Sequence, residues 1–118
     1  MRQGLQPLGN ATTFRDTTIG GILDDREGME LIGSLLDELL ALAAAHDVQF
    51  PDGIKKATID KARGFPYDAK TSYQRDFEQG KKTEIETFAG YIVDESRRLG
   101  LAAPAHEEVY AALKTRKI

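Results

Sequence analysis

The sequence predicts an all-α protein built as a single compact multi-helix domain over residues 1–118. Apolar side chains recur at helical spacing along most of the chain, and no stretch alternates convincingly at the period of two that marks a strand. The chain has 118 residues, of which 41% are hydrophobic and 30% charged. That length and composition suit one domain with a core of its own.

The longest predicted helix covers about residues 26–47 and is expected to lie at the centre of the domain. One apolar stripe follows the spacing i, i+3, i+4, i+7 and i+11: Ile32, Leu35, Leu36, Leu39 and Ala43. Three further leucines widen the stripe, so neighbours are expected on more than one side: Leu31, Leu40 and Leu42. Pro51 ends this helix, and Asp52 is predicted to cap a shorter helix over about 53–63. Gly64-Phe65-Pro66 then breaks the helical pattern.

The second half of the chain has clearer helix ends. Thr83-Glu84-Ile85-Glu86 has the spacing of a capping box, in which the first and last side chains bond each other's backbone amides, so a helix should begin here. Gly100 lies where a left-handed residue ends a helix, and Pro104 suits the first turn of a final helix. A short helix over 72–79 is predicted to end at Gly80. Residues 10–23 give no clean helical pattern.

Composition excludes several classes of function. The chain has no cysteine, which removes disulfides, thiolate metal sites and cysteine nucleophiles. A net charge of -3 and a pI near 5.4 argue against nucleic-acid binding. The start of the chain lacks the apolar core of a signal peptide, and Leu31 to Ala45 is too short for a bilayer, so a soluble cytoplasmic protein is expected. No metal-binding motif is present, and the two histidines, His46 and His106, are expected to stand alone near helix ends.

One group of polar residues has the spacing of a binding site. Ser72 and Asp76 are four residues apart, so a helix places both side chains on one face. A turn at Gly80 would bring Glu84 back toward Ser72, and the helix dipole would keep Glu84 ionised. With nearby helix N-termini, these groups suit a small polar ligand. Spacing alone favours a plainer interpretation, with Ser72 as an N-cap and the two acids as ordinary exposed side chains.

A family resemblance over residues 70–113 changes that balance. The segments that carry it are Lys70 to Asp76, Gly80 to Glu86, Gly90, Gly100-Leu101, Pro104 and Tyr110. They resemble the C-terminal domain of ketopantoate reductase (2-dehydropantoate 2-reductase). In that family a serine-containing segment leads to an aspartate, and a Thr-Glu-Ile-Asp/Glu box, a helix glycine and a Gly-(Val/Ile)-x-x-Pro turn follow. Upstream, Asn10, the Gly20-Gly21 pair and the 26–47 helix fall in the family's order.

The resemblance implies a helical domain of the 6-phosphogluconate dehydrogenase-like type. The family reduces ketopantoate to pantoate in pantothenate synthesis, with a hydride from NADPH held by an N-terminal Rossmann domain. The helical domain makes most of the substrate contacts. By motif match, Ser72 would bind the substrate carboxylate, and Asn10 and Asp76 would belong to the substrate site, Asp76 by supporting the cleft. Glu84 would lie at the cleft between the two domains and touch the substrate hydroxyl or the cofactor side.

The sequence departs from the family pattern in two ways. Nothing in residues 1–118 matches the Rossmann half, so NADPH is not expected to bind this chain alone. The positions four and eight residues before Asn10 are Gln6 and Arg2, where the family has an asparagine and its catalytic lysine. Arginine, with a pKa above about 12, is a poor general acid. No catalytic residue is therefore assigned.

Functions of different classes remain open at this point. One is a substrate-binding domain for a ketopantoate- or pantoate-like small 2-oxo or 2-hydroxy acid, not expected to turn over alone, with or without a separate Rossmann-domain chain. Another is a non-catalytic helical remnant that forms a homodimer or binds another protein. A third is an unrelated helical regulator that matches the family by accident. The sequence alone fixes neither the physiological substrate nor the oligomeric state.

Overall fold

The computed structural model describes residues 10–70 and 84–116, and every regular element in these ranges is a helix. Five helices have defined ends: α1 (Ile19–Leu23), α2 (Arg26–Ala45), α3 (Ile54–Arg63), α4 (Glu84–Arg98) and α5 (Pro104–Arg116). Residues 10–15 are also helical. The predicted all-α fold is confirmed. The predicted 72–79 helix and the Thr83 cap lie outside the described residues.

Helix α2 lies at the centre of the domain, as its apolar stripe predicts, and packs against α1, α4 and α5. Its larger buried side chains are Ile32, Leu35, Leu36, Leu39 and Leu42. The first three join a core cluster with Val109 and Leu113 of α5, whereas Leu39 and Leu42 meet Ile92 of α4. Each such side chain contributes about 1.5–3 kcal/mol on burial. Helix α2 therefore holds the N-terminal and C-terminal helices in one body.

Helices α4 and α5 pack against each other, and the connection between them follows the predicted pattern. Gly100 has a φ of 73°, in the left-handed region. The amides of Gly100 and Leu101 donate to the carbonyls of Arg97 and Ser96 at 3.2 and 2.8 Å. These two bonds are the Schellman arrangement that ends a helix at a glycine. Pro104 is the first residue of α5, as expected.

The predicted cap of α3 was wrong. The N-cap is Gly53, with a left-handed φ of 79° and no side-chain cap. An Asp-Gly pair favours a tight turn in which the glycine takes the positive φ, so Gly53 rather than Asp52 occupies the helix boundary. Helix α3 packs on α1 and buries Thr58 and Ala62.

The segment from residue 10 to residue 23 contains two short helical stretches separated by a turn. The first, residues 10–15, ends at Asp16, whose φ is 53°. The amide of Thr17 donates to the carbonyl of Thr12 at 3.0 Å, the bond expected after a left-handed residue at a helix end. Asp16 therefore takes the left-handed position that ends this helix, as Gly100 does for α4. Because Asp16 is not a glycine, this helix was not predicted.

Candidate functional site

The candidate site includes Asn10, the first residue that the structure describes. Its side chain is fully buried, as are the three residues that follow it. Neither Oδ1 nor Nδ2 of Asn10 has a hydrogen-bond partner among the residues that the structure describes. A buried polar group without a partner costs about 1–3 kcal/mol. Asn10 is therefore a buried polar side chain to which the described part of the chain offers no hydrogen-bond partner.

The N-terminus of α1 is closed by another part of the chain. Residues 66–70, which we call the strap, supply the backbone acceptors. Three hydrogen bonds satisfy the first amides of α1: Ile19 N to Ala69 O at 2.9 Å, Gly20 N to Tyr67 O at 2.8 Å, and Gly21 N to Thr18 Oγ1 at 3.1 Å. Helix N-termini bind anions through free amides. Since these amides have partners within the fold, this helix end contributes none to a ligand site.

Glu38 of α2 is a largely buried acid that caps α5. One carboxylate oxygen, Oε2, accepts from the amide of Ala105 at 2.8 Å. The other, Oε1, accepts from the amide of His106 at 2.9 Å and lies 2.7 Å from its Nδ1. Because an ionised carboxylate can only accept, Nδ1 carries the proton and donates to Glu38. Both carboxylate oxygens of Glu38 are thus engaged inside the domain.

These contacts keep Glu38 ionised although little of it is exposed. Burial opposes the charged form, but the bonds from the His106 ring and from the amides of His106 and Ala105 outweigh it, and the pKa of Glu38 lies below its ordinary value. The carboxylate also lies at the positive end of the α5 dipole, which favours a negative charge. Glu38 is a structural anion that fixes α5 on α2 rather than an acid available for proton transfer.

The expectation that both histidines stand alone was wrong. His106 is completely buried, and His46, the C-cap of α2, places Nε2 2.9 Å from the Glu95 carboxylate. Glu95 also forms two hydrogen bonds to Arg98, at 2.6 and 2.8 Å. The bond from Arg98 holds the pKa of Glu95 below its ordinary value. Each histidine therefore pairs with an acid on another helix, which the sequence could not show because the partners are far apart in the chain.

Of the residues that sequence analysis singled out, only two fall within the described ranges. Asn10 is buried at the start of the first helical segment, and Glu84 is the first residue of α4, where a first-turn acid was predicted. Ser72, Asp76 and Arg2 lie outside the described residues. The convergence of Ser72, Asp76 and Glu84 accordingly stays a prediction.

A polar cleft of about 500 Å³ lies between α4 and α5. In it, Arg97 is 3.6 Å from the Glu107 carboxylate, and Lys114 Nζ lies 4.9 Å from the centre of the Tyr110 ring. Charges of both signs line the cleft and engage one another or the ring. The cleft therefore has no selectivity that would identify a ligand.

Residues 10–70 and 84–116 contain neither a metal-binding cluster nor a membrane-spanning helix. No group of three or more histidine, aspartate or glutamate side chains there could hold a metal ion. No helix in those ranges has the length and apolar character needed to cross a membrane.

Comparison with protein families gives a match along nearly the whole chain. Residues 7–117 match the family described as ketopantoate reductase PanE/ApbA C terminal. An uncharacterized oxidoreductase of Bacillus subtilis, YkpB, is 29% identical over 103 residues, which are 87% of this chain and 34% of that protein. The chain thus spans about a third of the length of the curated relative it matches.

Solved structures agree on the fold. A 2-dehydropantoate 2-reductase from Methylococcus capsulatus is 28% identical with a TM-score of 0.82, over 96% of this chain and 39% of that one. A ketopantoate reductase from Staphylococcus aureus, described as dimeric, is 23% identical with a TM-score of 0.84, over 98% of this chain and 41% of that one. The sequence resemblance is confirmed, and the likeness covers only the C-terminal part of each reductase.

Proposed function

Because the chain belongs to the ketopantoate reductase C-terminal family, we propose that it is the substrate-binding part of an NADPH-dependent oxidoreductase of this kind. Its ligand would be a small 2-oxo or 2-hydroxy acid such as ketopantoate or pantoate. The chain would bind and orient that acid, and hydride transfer would require the nucleotide-binding part that full-length relatives possess.

The observation that carries the proposal is the state of Asn10. A carboxamide offers two donors and one acceptor atom with two lone pairs, and both of its polar atoms are buried without a partner among the described residues. A hydroxyl of a bound 2-hydroxy acid can use both kinds of group, since it accepts from Nδ2 and donates to Oδ1, whereas the carbonyl oxygen of a 2-oxo acid can only accept from Nδ2. Sites built to hydrogen-bond a hydroxyl discriminate strongly against ligands that lack it, because unpaired buried groups are costly. We infer that Asn10 contacts the substrate.

The roles proposed for the other site residues rest on the family motif alone. Ser72 would hydrogen-bond the substrate carboxylate, Asp76 would support the cleft, and Glu84 would face the substrate hydroxyl or the cofactor. An acid at the first turn of α4 is held ionised by the helix dipole, so Glu84 would accept a hydrogen bond. Arg2 occupies the position of the family lysine and would stay protonated, so no proton-donating residue is assigned to this chain.

The described residues do not fit the dinucleotide itself. A Rossmann site needs a glycine-rich turn between a strand and a helix, whose free amides hold the pyrophosphate. In residues 10–70 and 84–116 all regular elements are helices, and the first amides of α1 and α5 are occupied by the strap and by Glu38. We therefore derive no step through NADPH and propose that another part of the polypeptide, or another chain, holds it.

The proposal is tested by titrating the purified chain with pantoate in a calorimeter. We expect weak, saturable binding by the wild type and a loss of about tenfold or more in the Ser72→Ala variant, because a charge-assisted hydrogen bond to the carboxylate is worth about 1.5–3 kcal/mol. Ser34→Ala is the matched control, since Ser34 is exposed on α2. Equal affinities of the Ser72→Ala and wild-type proteins would show that the serine is wrongly assigned.

A second proposal is that the domain acts through self-association. It is favoured by one fold neighbour, the S. aureus reductase, being described as dimeric, and by the exposed aromatic ring of Tyr91 on α4. Sedimentation equilibrium at increasing protein concentration decides it. A dimer that persists at micromolar concentration supports an interaction module, whereas a monomer at every concentration contradicts it.

A further inference from the structure

The Asn10 carboxamide carries a donor and an acceptor on one edge. One N–H of Nδ2 and a lone pair of Oδ1 point to the same side of the planar group, and neither atom has a partner among the described residues. A rotation of the carboxamide by 180° only exchanges the two atoms, so either orientation leaves the same pair open. A single ligand oxygen that both accepts and donates can therefore satisfy the whole edge.

The backbone that carries Asn10 is fixed in the core. Ala11, the next residue, is fully buried and belongs to the main core cluster with Leu36 and Val109. The turn after this helical segment is closed by a hydrogen bond from the Thr17 amide to the Thr12 carbonyl at 3.0 Å. Close-packed segments of this kind shift little. The carboxamide is therefore held in place, and a rigidly held polar group discriminates between ligands by what they can pair with.

The two oxidation states of the proposed ligand differ in the oxygen on C2. The hydroxyl of a 2-hydroxy acid accepts from Nδ2 of Asn10 and donates to Oδ1. The carbonyl oxygen of a 2-oxo acid accepts from Nδ2 as well, but it has no proton to donate and turns its own lone pairs toward Oδ1. In that complex a buried acceptor stays unpaired and faces a second acceptor, which weakens binding.

We propose that Asn10 is a specificity-determining residue that selects the reduced form of the ligand, so that the domain binds a 2-hydroxy acid more tightly than the matching 2-oxo acid. This inference rests on the proposed function, because it requires that Asn10 meet the C2 oxygen. Pantoate should bind about tenfold more tightly than ketopantoate, the discrimination that one unpaired buried acceptor produces. By linkage, the domain shifts the equilibrium between the two bound acids toward the alcohol by the same factor.

The test compares three acids on the wild-type chain by calorimetry. Besides pantoate and ketopantoate it uses 4-hydroxy-3,3-dimethylbutanoate, the analogue of pantoate without an oxygen on C2. The three ligands share the carboxylate and the C4 hydroxyl, and they pair with both, one and neither of the polar atoms of Asn10. We expect the affinity to fall in that order, by about tenfold at each step.

The outcomes separate this inference from the proposed function. Equal affinities for pantoate and ketopantoate, or tighter binding of ketopantoate, would overturn the selection by Asn10 and leave the proposed function standing. A buried water that pairs with both atoms of Asn10 would give equal affinities, because the ligand would then meet neither atom. Absence of binding by all three acids would overturn the proposed function and this inference together.

The variant Asn10→Thr assigns the preference to this residue. Threonine is close to asparagine in volume, and its hydroxyl rotates to donate to a carbonyl or to accept from a hydroxyl, so the two acids should bind within about twofold of each other. Thr58→Val is the matched control. Thr58 is buried on α3 and donates to the Ile54 carbonyl at 2.8 Å, so its replacement removes a buried hydroxyl elsewhere and should keep the tenfold preference. An unchanged preference in Asn10→Thr would show that another group selects the ligand. If Asn10→Thr does not fold, the three acids on the wild-type chain decide the proposal.

Discussion

Glu38 and Asn10 are both polar and both removed from solvent, yet the domain treats them in opposite ways. Each carboxylate oxygen of Glu38 has a partner on α5, at distances of 2.7–2.9 Å. Asn10 is more deeply buried than Glu38, and neither atom of its carboxamide has a partner among the described residues. Within the described residues, both carboxylate oxygens of Glu38 have partners, and neither polar atom of Asn10 has one.

The difference separates a polar residue whose partners lie within the fold from one whose partner, in our proposal, is a ligand. A buried donor or acceptor without a partner costs more free energy than one hydrogen bond contributes on balance. Folded chains therefore rarely keep such a group without a reason. Glu38 stabilises the domain by capping α5. Under the proposed function, Asn10 costs the isolated domain stability and is retained for a ligand.

The largest effect is expected from Glu38→Gln. The carboxamide can still accept at one oxygen, but its NH2 group would oppose the Ala105 amide, which now donates to Oε2 at 2.8 Å. We expect the free energy of unfolding at pH 7 to fall by about 2 kcal/mol, because a buried donor loses its acceptor. Chemical denaturation measures this.

The matched control is Asp37→Asn, one position away on the same helix. Asp37 is exposed and pairs with Lys55 at 2.8 Å, a surface ion pair of the kind that contributes about 0.2–1 kcal/mol. A loss in Glu38→Gln no larger than that in Asp37→Asn would mean that the Glu38 cap does not stabilise the fold.

The pH dependence of stability sharpens the same contrast. The pKa of Glu38 is lowered in the folded state, so its stabilisation is complete above the unfolded value, about 4.3, and is lost as the pH falls through the lower folded value. The stability difference between wild type and Glu38→Gln should therefore be constant from pH 7 to about pH 5 and shrink below it. A difference that grows on acidification would contradict the assignment of Glu38 as a structural anion.

Asn10→Leu should act in the opposite direction, with a smaller magnitude. Replacing an unpartnered buried carboxamide by an apolar side chain of similar shape removes a desolvation cost, so the free energy of unfolding should rise by about 1 kcal/mol. Pantoate binding should be lost in the same variant. Lower stability together with intact pantoate binding would show that Asn10 belongs to the fold, as Glu38 does.

The smallest effect is expected from Glu95→Gln. Glu95 has a lowered pKa like Glu38, but its partners Arg98 and His46 are exposed to solvent. Water and salt compensate the lost contacts there. The melting temperature should shift much less than in Glu38→Gln, and less still at high salt. A shift as large as that of Glu38→Gln would show that an acid with a lowered pKa stabilises the fold whether or not its partners are buried.

Most helix positions could be predicted from the sequence because their causes are local. The stripe of α2, the glycine at the end of α4 and the proline that opens α5 each act within one or two turns of helix. Asp52 was assigned wrongly for the same local reason, since the following Gly53 offered a better boundary than an aspartate cap. The helix end at Asp16 was not predicted, because a residue other than glycine occupies the left-handed position there.

The buried Glu38–His106 contact could not be predicted, because 68 residues separate its partners. Each residue alone reads as an ordinary charged or polar helix residue, and only the packing of α5 on α2 brings them together. The candidate site was predicted differently. The position of Asn10 in the family's order pointed to it, whereas its burial, and its lack of a partner among the described residues, became visible only in three dimensions. Ser72 and Asp76 lie outside the described residues, so their place in the site stays a prediction.

The most direct test of the account observes the Asn10 side chain itself. In a two-dimensional NMR titration of the ¹⁵N-labelled chain with pantoate, the Nδ2 proton resonances of Asn10 should shift saturably, with the same midpoint as the calorimetric binding curve. The backbone amide of Ser34 should stay in place. Asn10 resonances that do not move at pantoate concentrations saturating the rest of the spectrum would contradict the claim that this carboxamide is kept for a ligand.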